Sequence, residues 1–288
     1  MENRRSRFVV INADDFGLHE AVNKAVVHAH RHGVVTSASI MACGTAFEDA
    51  VVRWQTCPDL GIGIHLTLVE ERPVAPIDQV TTLVSKEGLM PRSYMAFARR
   101  WLSRQISLGD VVRELEAQVD KVLQAGIMPT HFDSHQHVHC LPGMWRTVLN
   151  LARKYQVPYV RLPRFDSLHA DAAVVESAVR AGVNVLAWLR GQGSSSTVKH
   201  ADHLGGLAFS GRMTAPRLLS ILSNVGSGLT EVMVHPGLPD ENLRRRYRKW
   251  KGFSWEQDFE AVTNREVIDL CRGGPFTLAS FAGSQREL

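Results

Sequence analysis

The sequence predicts an α/β fold in one domain, a closed or nearly closed β/α barrel, with an open doubly wound sheet as the competing arrangement. Three observations lead there. Short apolar runs alternate with segments whose apolar residues recur at helical spacing, which implies a parallel sheet. Seven or eight such strand-like runs spread over all 288 residues with no linker-like break in composition. Residues able to bind metals or move protons follow the apolar runs, at what would be the carboxyl-terminal rim of the barrel.

In chain order, RFVVINADD reads as a buried strand ending in two aspartates, and Leu18 to His32 as a helix closed by Gly33. TSASIMAC is strand-like, Thr45 to Gln55 helical, and GIGIHLTL a second apolar run entered through glycines. The irregular stretch at 70–107, with Pro73, Pro76 and Pro91, is the expected substrate-covering insertion. Asp110 to Gln124 forms an amphipathic helix before PTHFDSH, and Pro142 to Tyr155 a helix leading to PYVRL. Further on, Asp171 to Ala181 reads as helix, VNVLAWL as strand and Gly191 to His200 as a mobile loop. Ala215 to Ser223 is helical, TEVMVH a strong strand, and Trp255 to Cys271 a single final helix.

Composition excludes several classes. At 44% apolar and 22% charged residues the chain is an ordinary globular protein, neither collagen-like, coiled-coil nor mostly disordered. The formal net charge of +4 is too small to imply nucleic-acid binding by itself. Cys43, Cys57, Cys140 and Cys271 form no CxxC pair, so no zinc ribbon or disulfide framework is signalled and the expected compartment is the cytoplasm. The apolar run Phe8 to Ile11 is too short for a signal-peptide core. No stretch approaches the roughly 18 apolar residues of a membrane span. One local patch stands out: RRRYRKWK, within a basic loop at 239–254. Its Arg244, Arg245, Arg246, Arg248, Lys249 and Lys251, interleaved with Tyr247 and Trp250, suggest peripheral contact with anionic lipid, or an acidic or lipid-linked substrate.

The chemistry collects at strand ends. Asp15, His65 and His135 form a carboxylate and two-imidazole set suited to Zn²⁺ or a related divalent ion. His131, Asp133, His135, His137 and His139 fall at period two, so one metal cannot use them all; a turn near Ser134 favours His135. His137 and His139 are then expected to line the pocket or to support the ligands from behind. Asp14 and Asp15 can serve one centre only where the backbone turns, a freedom assigned to Gly17, with one aspartate ligating and the other acting as base. Helix N-capping is the competing use of the pair. His235, before Pro236 and Gly237, suits a proton donor, and Arg161 could hold the base by a charge-assisted hydrogen bond. The same ligand set also describes a non-haem iron oxygenase, and a metallophosphoesterase is disfavoured for want of a second metal set. A non-catalytic lipid- or glycan-binding protein is the third alternative. Trp101, Trp145, Trp188 and Trp255 are the candidate sugar-stacking residues.

Taken together, NADDFG at 12–17, GIGIHLTL at 61–68, THFDSHQHVH at 130–139 and VHPG at 234–237 resemble the YdjC-like carbohydrate deacetylases over nearly the whole chain. HLTLVEERPV, DHLGGLAFSGRMT and LASF resemble the hopanoid-biosynthesis-associated branch. The resemblance implies a distorted TIM-like barrel and removal of acetate from an N-acetylated amino sugar or glycolipid, with one divalent metal, zinc or magnesium. It implies Asp15, His65 and His135 as ligands, Asp14 as base, Arg161 as the arginine that orients it and His235 as acid. A homodimer is a further expectation, and no nucleic-acid partner is expected.

Overall fold

The computed structural model describes residues 6–162 and 197–283. Its eight strands are β1 (Arg7–Phe16), β2 (Ser37–Ile40), β3 (Gly61–Leu66), β4 (His131–Ser134), β5 (Tyr159–Val160), β6 (His203–Gly205), β7 (Gly228–Val234) and β8 (Thr277–Leu278). They form one sheet in the order β5-β4-β3-β2-β1-β7-β6, with β8 paired to the start of β1, and each pairing between them is parallel. Lys199 bridges Tyr159 on β5, and shortly afterwards the chain enters β6 against β7. A single segment thus touches both ends of the curled sheet, giving the barrel-like α/β architecture that the alternation predicts.

Alternation along the strands sorts side chains into two environments. Val9, Ile11, Ala13, Ala38, Ile40, Ile62, Ile64, Phe132, Val232 and Val234 join the main apolar core beneath the helices. The other face turns inward. Val10, Tyr159, Leu229 and Phe281 form an apolar floor. Above it the interior is polar, with Asn12, Ser39, His131, Asp133, Arg161 and Glu231 all buried. Gly63 has a steric reason: a Cβ there would lie 2.4 Å from the His131 ring, whose centroid is 4.3 Å from that of the tilted Phe281 ring.

The helices are α1 (Glu20–His32), α2 (Phe47–Trp54), α3 (Tyr94–Leu102), α4 (Leu108–Gln124), α5 (Met144–Lys154), α6 (Ala215–Ser223), α7 (Glu241–Arg246), α8 (Trp255–Val262) and α9 (Arg265–Gly273). In α4, Val111, Leu115, Val119 and Val122 bury an apolar stripe, while Asp110, Glu114 and Gln118 recur every fourth residue on a face that is also buried. That polar stripe anchors the 70–107 segment. Glu114 accepts the Val74 and Ala75 amides at 2.9 Å each, and Asp110 accepts the Thr82 amide and hydroxyl. Gln118 brackets the backbone of Thr67.

Several expectations need correction. The final helix is two, α8 and α9, because Asn264 breaks it and caps the second through the amides of Glu266 and Val267. The basic loop contains α7, capped by Asp240. Strands β6 and β8, three and two residues long, are too short to leave a periodicity. The expected helix at 171–181, the VNVLAWL strand, Trp188 and most of the 191–200 loop lie outside the described residues. No described helix is long and apolar enough to cross a membrane.

Gly63→Ala should lower unfolding stability by about 1–3 kcal/mol through overpacking against His131. Equilibrium denaturation measures it, and an unchanged midpoint would contradict the packing described.

Candidate active site

Strand β1 delivers both aspartates to one place by breaking its own geometry. Asp15 sits at φ 65°, and the register of β1 against β2 shifts between Ala13 and Phe16. Left-handed backbone costs an L-residue about 1–2 kcal/mol, and Asp is among the few that tolerate it. The sequence reading assigned this turn to Gly17; Gly17 is also at positive φ, but the turn begins at Asp15. Neither aspartate caps α1, whose N-cap is His19.

Three donor atoms then converge. Asp15 Oδ1 lies 3.0 Å from His135 Nδ1 and 3.3 Å from His65 Nε2, and the two nitrogens are 3.4 Å apart. Tetrahedral ligands about 2.0–2.1 Å from a zinc-sized ion stand about 3.3–3.4 Å from one another, so the triangle has the dimensions of a divalent-cation site. His135 reaches it because β4 ends at Ser134 and a tight 3-10 turn, His135–Cys140, begins there with Gln136 and His137 at positive φ. The period-two pattern therefore holds only for His131 and Asp133.

Behind these groups lies a buried charge network. Arg161, directly after β5, makes a bidentate pair with Asp14, Nη1 to Oδ2 at 2.6 Å and Nη2 to Oδ1 at 2.7 Å. The same guanidinium reaches Asp133 Oδ2 and Glu231 Oε1, both at 2.8 Å. Asp133 Oδ1 in turn accepts from His65 Nδ1 at 2.8 Å, and its Oδ2 accepts from the Ser39 hydroxyl. Asp14, Asp133 and Glu231 share this one guanidinium and the buried Asp15 faces only imidazoles, an excess of carboxylate that a divalent cation would reduce.

The titration behaviour follows from this excess of negative charge. Burial opposes charge on the imidazoles, but Asp133 and Asp15 raise His65 to about 10, and Asp15 and Glu70 raise His135 to about 9. Burial raises Glu231 to about 7, with Arg161 pulling it back and Asp133 and Asp14 adding to the rise. His131, buried beside Arg161, falls to about 4. His235 is raised above 6.5: burial opposes its charge, but Asp258 and Asp14 outweigh that. Its Nε2 is 3.9 Å from Asp14 Oδ2 and its Nδ1 3.7 Å from Asp258 Oδ2, while Asp258 accepts the His235 amide at 2.8 Å.

All of this opens into a cavity of about 240 Å³ lined by Asp14, Asp15, His65, His135, His137 and His235, among others. His137 lies on its wall; His139 does not, being tied to the Ser134 hydroxyl and the Arg161 carbonyl. Of the expected stacking tryptophans, Trp101 donates to the Pro142 carbonyl, and Trp145 and Trp255 are buried. Trp250 and Phe253 line the cavity instead. Glu70 was also missed: its Oε2 is 3.3 Å from His135 Nε2. Its signal was only a carboxylate soon after GIGIHLTL. The basic segment is not a single patch, because Tyr247 is buried, Trp250 turns inward, Arg244 pairs with Glu256 and Arg246 with Glu71. A second donor trio, Asp14, His65 and Asp133, does exist, contrary to expectation, but Arg161 already pairs with both of its carboxylates.

A curled parallel α/β sheet with an Asp-His-His cluster at the carboxyl ends of its strands defines the class: an α/β fold whose rim carries a donor set able to hold a metal ion. The sequence pattern of the family described as "YdjC-like protein" matches residues 8–273, and the chain belongs to that family. It is 35% identical over 240 residues to a protein of Geobacillus stearothermophilus named carbohydrate deacetylase, covering 82% of each chain. It is 29% identical to a chitooligosaccharide deacetylase of Salmonella paratyphi B, covering 83% of this chain and 85% of that one. A crystal structure from Enterococcus faecalis V583, of a protein named for cellobiose-phosphate cleavage, superposes with a TM-score of 0.76 at 26% identity. It covers 96% of this chain and 98% of its own.

Because raised imidazole pKa values put protons where a cation would bind, cation and protons compete. Zn²⁺ affinity of the metal-free protein should therefore rise by about tenfold or more per pH unit between pH 6 and 8. Titration at several pH values tests this, and a flat profile would contradict it.

Proposed function

We propose that this protein hydrolyses the acetamide of an N-acetylated amino sugar, giving acetate and the free amine. The enzyme class is that of carbohydrate deacetylases, hydrolases acting on amide bonds. One observation carries the reading: the Asp15, His65 and His135 donor triangle shares a single pocket with an arginine-held Asp14 and with His235. Asp15, His65 and His135 would hold a divalent cation, whose Lewis acidity would polarise the carbonyl and make water easier to deprotonate.

The chain's own residues account for the proton transfers. Asp14 accepts the proton of the attacking water, and its bidentate pairing with Arg161 fixes the direction in which its lone pairs point. His235, raised by Asp258 and Asp14, carries the proton that the departing amine needs, since an amine leaves poorly as an anion. Trp250 and Phe253 offer apolar faces to a sugar ring. An arginine-held carboxylate and an acid histidine flanking the triangle favour hydrolysis over the oxygenase reading, which requires neither. The likeness to the hopanoid-associated branch supports a lipid-carried N-acetylated sugar as substrate beside soluble chitooligosaccharides, and the exposed Arg245, Arg248, Lys249 and Lys251 suit contact with anionic lipid.

Asp14→Asn should keep its metal content and lose about 100-fold or more in acetate release from an N-acetylated chitooligosaccharide. Parent-like turnover in that variant removes Asp14 from the base role. His235 must be protonated to act, so the parent rate should fall as pH rises through a value above 6.5, and His235→Ala should lack that alkaline limb. A limb that persists in His235→Ala belongs to another group.

A further inference from the structure

We propose that Glu70 is a positioning residue for the metal centre, accepting the Nε2 hydrogen of His135 and so turning that ring's bare Nδ1 toward Asp15 and His65. The inference rests on the ligand reading given above and deepens it.

An imidazole offers a lone pair at only one nitrogen, and the hydrogen bond at the other nitrogen decides which. His65 has its partner in Asp133, 2.8 Å from Nδ1, which leaves Nε2 facing the triangle. His135 is reversed: its Nδ1 is the atom 3.0 Å from Asp15 and 3.4 Å from His65, so a cation taking the place of the Nδ1 proton would leave the remaining hydrogen on Nε2. Among the described residues, the acceptor within hydrogen-bond reach of Nε2 is Glu70 Oε2, at 3.3 Å. Each ligand imidazole is thereby backed by a carboxylate at its far nitrogen, one from β4 and one from the loop after β3.

Glu70 is itself built in. It sits at φ 69°, in the left-handed region that a glutamate occupies at a cost, and its amide donates to the Pro91 carbonyl at 2.8 Å. Its side chain is only 16% exposed. The Trp250 indole N–H lies 3.1 Å from both carboxylate oxygens, and the Trp250 and His135 ring centroids are 5.4 Å apart. The neighbouring Glu71 accepts from the Tyr247 hydroxyl and Arg246, both at 2.7 Å. Two consecutive glutamates therefore clamp the α7 segment onto the site, and the first of them is aimed at a ligand ring.

The test uses the full-length protein stripped of metal and titrated with Zn²⁺ against a chromophoric chelator. Glu70→Ala should weaken Zn²⁺ binding by about 10–100-fold, the range for loss of a partner behind a ligand. Glu70→Gln should recover most of that, since its amide oxygen still accepts from Nε2. His135→Ala should lose more than either. Parent-like affinity in Glu70→Ala beside weakened binding in His135→Ala overturns the role of Glu70 and leaves the ligand set standing. Parent-like affinity in His135→Ala overturns both. A variant-free check is the imidazole ¹⁵N spectrum of the Zn²⁺-loaded parent: protonated Nε2 with metal-bound Nδ1 on His135 is expected, and the reverse overturns the proposal even if Glu70→Ala does not fold.

Discussion

The interior of this barrel depends on one buried guanidinium. Arg161 is 2% exposed and holds Asp14, Asp133 and Glu231 at once, tying β1, β4 and β7 to the end of β5. Buried carboxylates at such density repel one another, and only fixed positive charge and hydrogen bonds make the arrangement tolerable. The guanidinium's planar fork suits this; a lysine ammonium would offer a point charge without the bidentate geometry. Removing one partner from such a network leaves uncompensated charge in the interior, which typically costs about 3–5 kcal/mol.

From that pairing the division of labour between adjacent aspartates follows. Asp14 is turned toward Arg161 and kept there, so it is not available to the donor triangle. Asp15, displaced to the opposite side by its left-handed backbone, faces the two imidazoles instead. Sequence neighbours on a regular strand point to opposite faces. Here the strand's irregularity puts both carboxylates in one pocket with different partners, the arrangement that the proposed ligand and base roles need.

Much of this was legible in the sequence, for reasons that can be stated. The apolar runs of β1, β3 and β7 are long enough to show, and an aspartate or histidine at the end of each is conspicuous. Helices α1 and α4 carry clear periodicity and caps. The inward-facing groups leave a different kind of trace. Asn12, Ser39, His131 and Glu231 point inward, below the rim, where period-two alternation inside a polar barrel looks the same as alternation toward solvent. Asp110, Glu114 and Gln118 resemble a solvated helix face, yet they hold the backbone of the 67–82 region. Trp250 was read as part of a basic surface, since local composition does not reveal that α7 folds back over Glu70 and Glu71. Contacts set by long-range return of the chain leave no local pattern.

The central claim is that Asp15, His65 and His135 share one cation. Anomalous diffraction from a crystal of the protein grown with Zn²⁺, collected on either side of the zinc edge, tests it most directly. The account predicts a single strong peak about 2.0–2.2 Å from a carboxylate oxygen of Asp15, Nε2 of His65 and Nδ1 of His135. A peak elsewhere with these three side chains bonded only to one another, or no peak at all in this pocket, would contradict it.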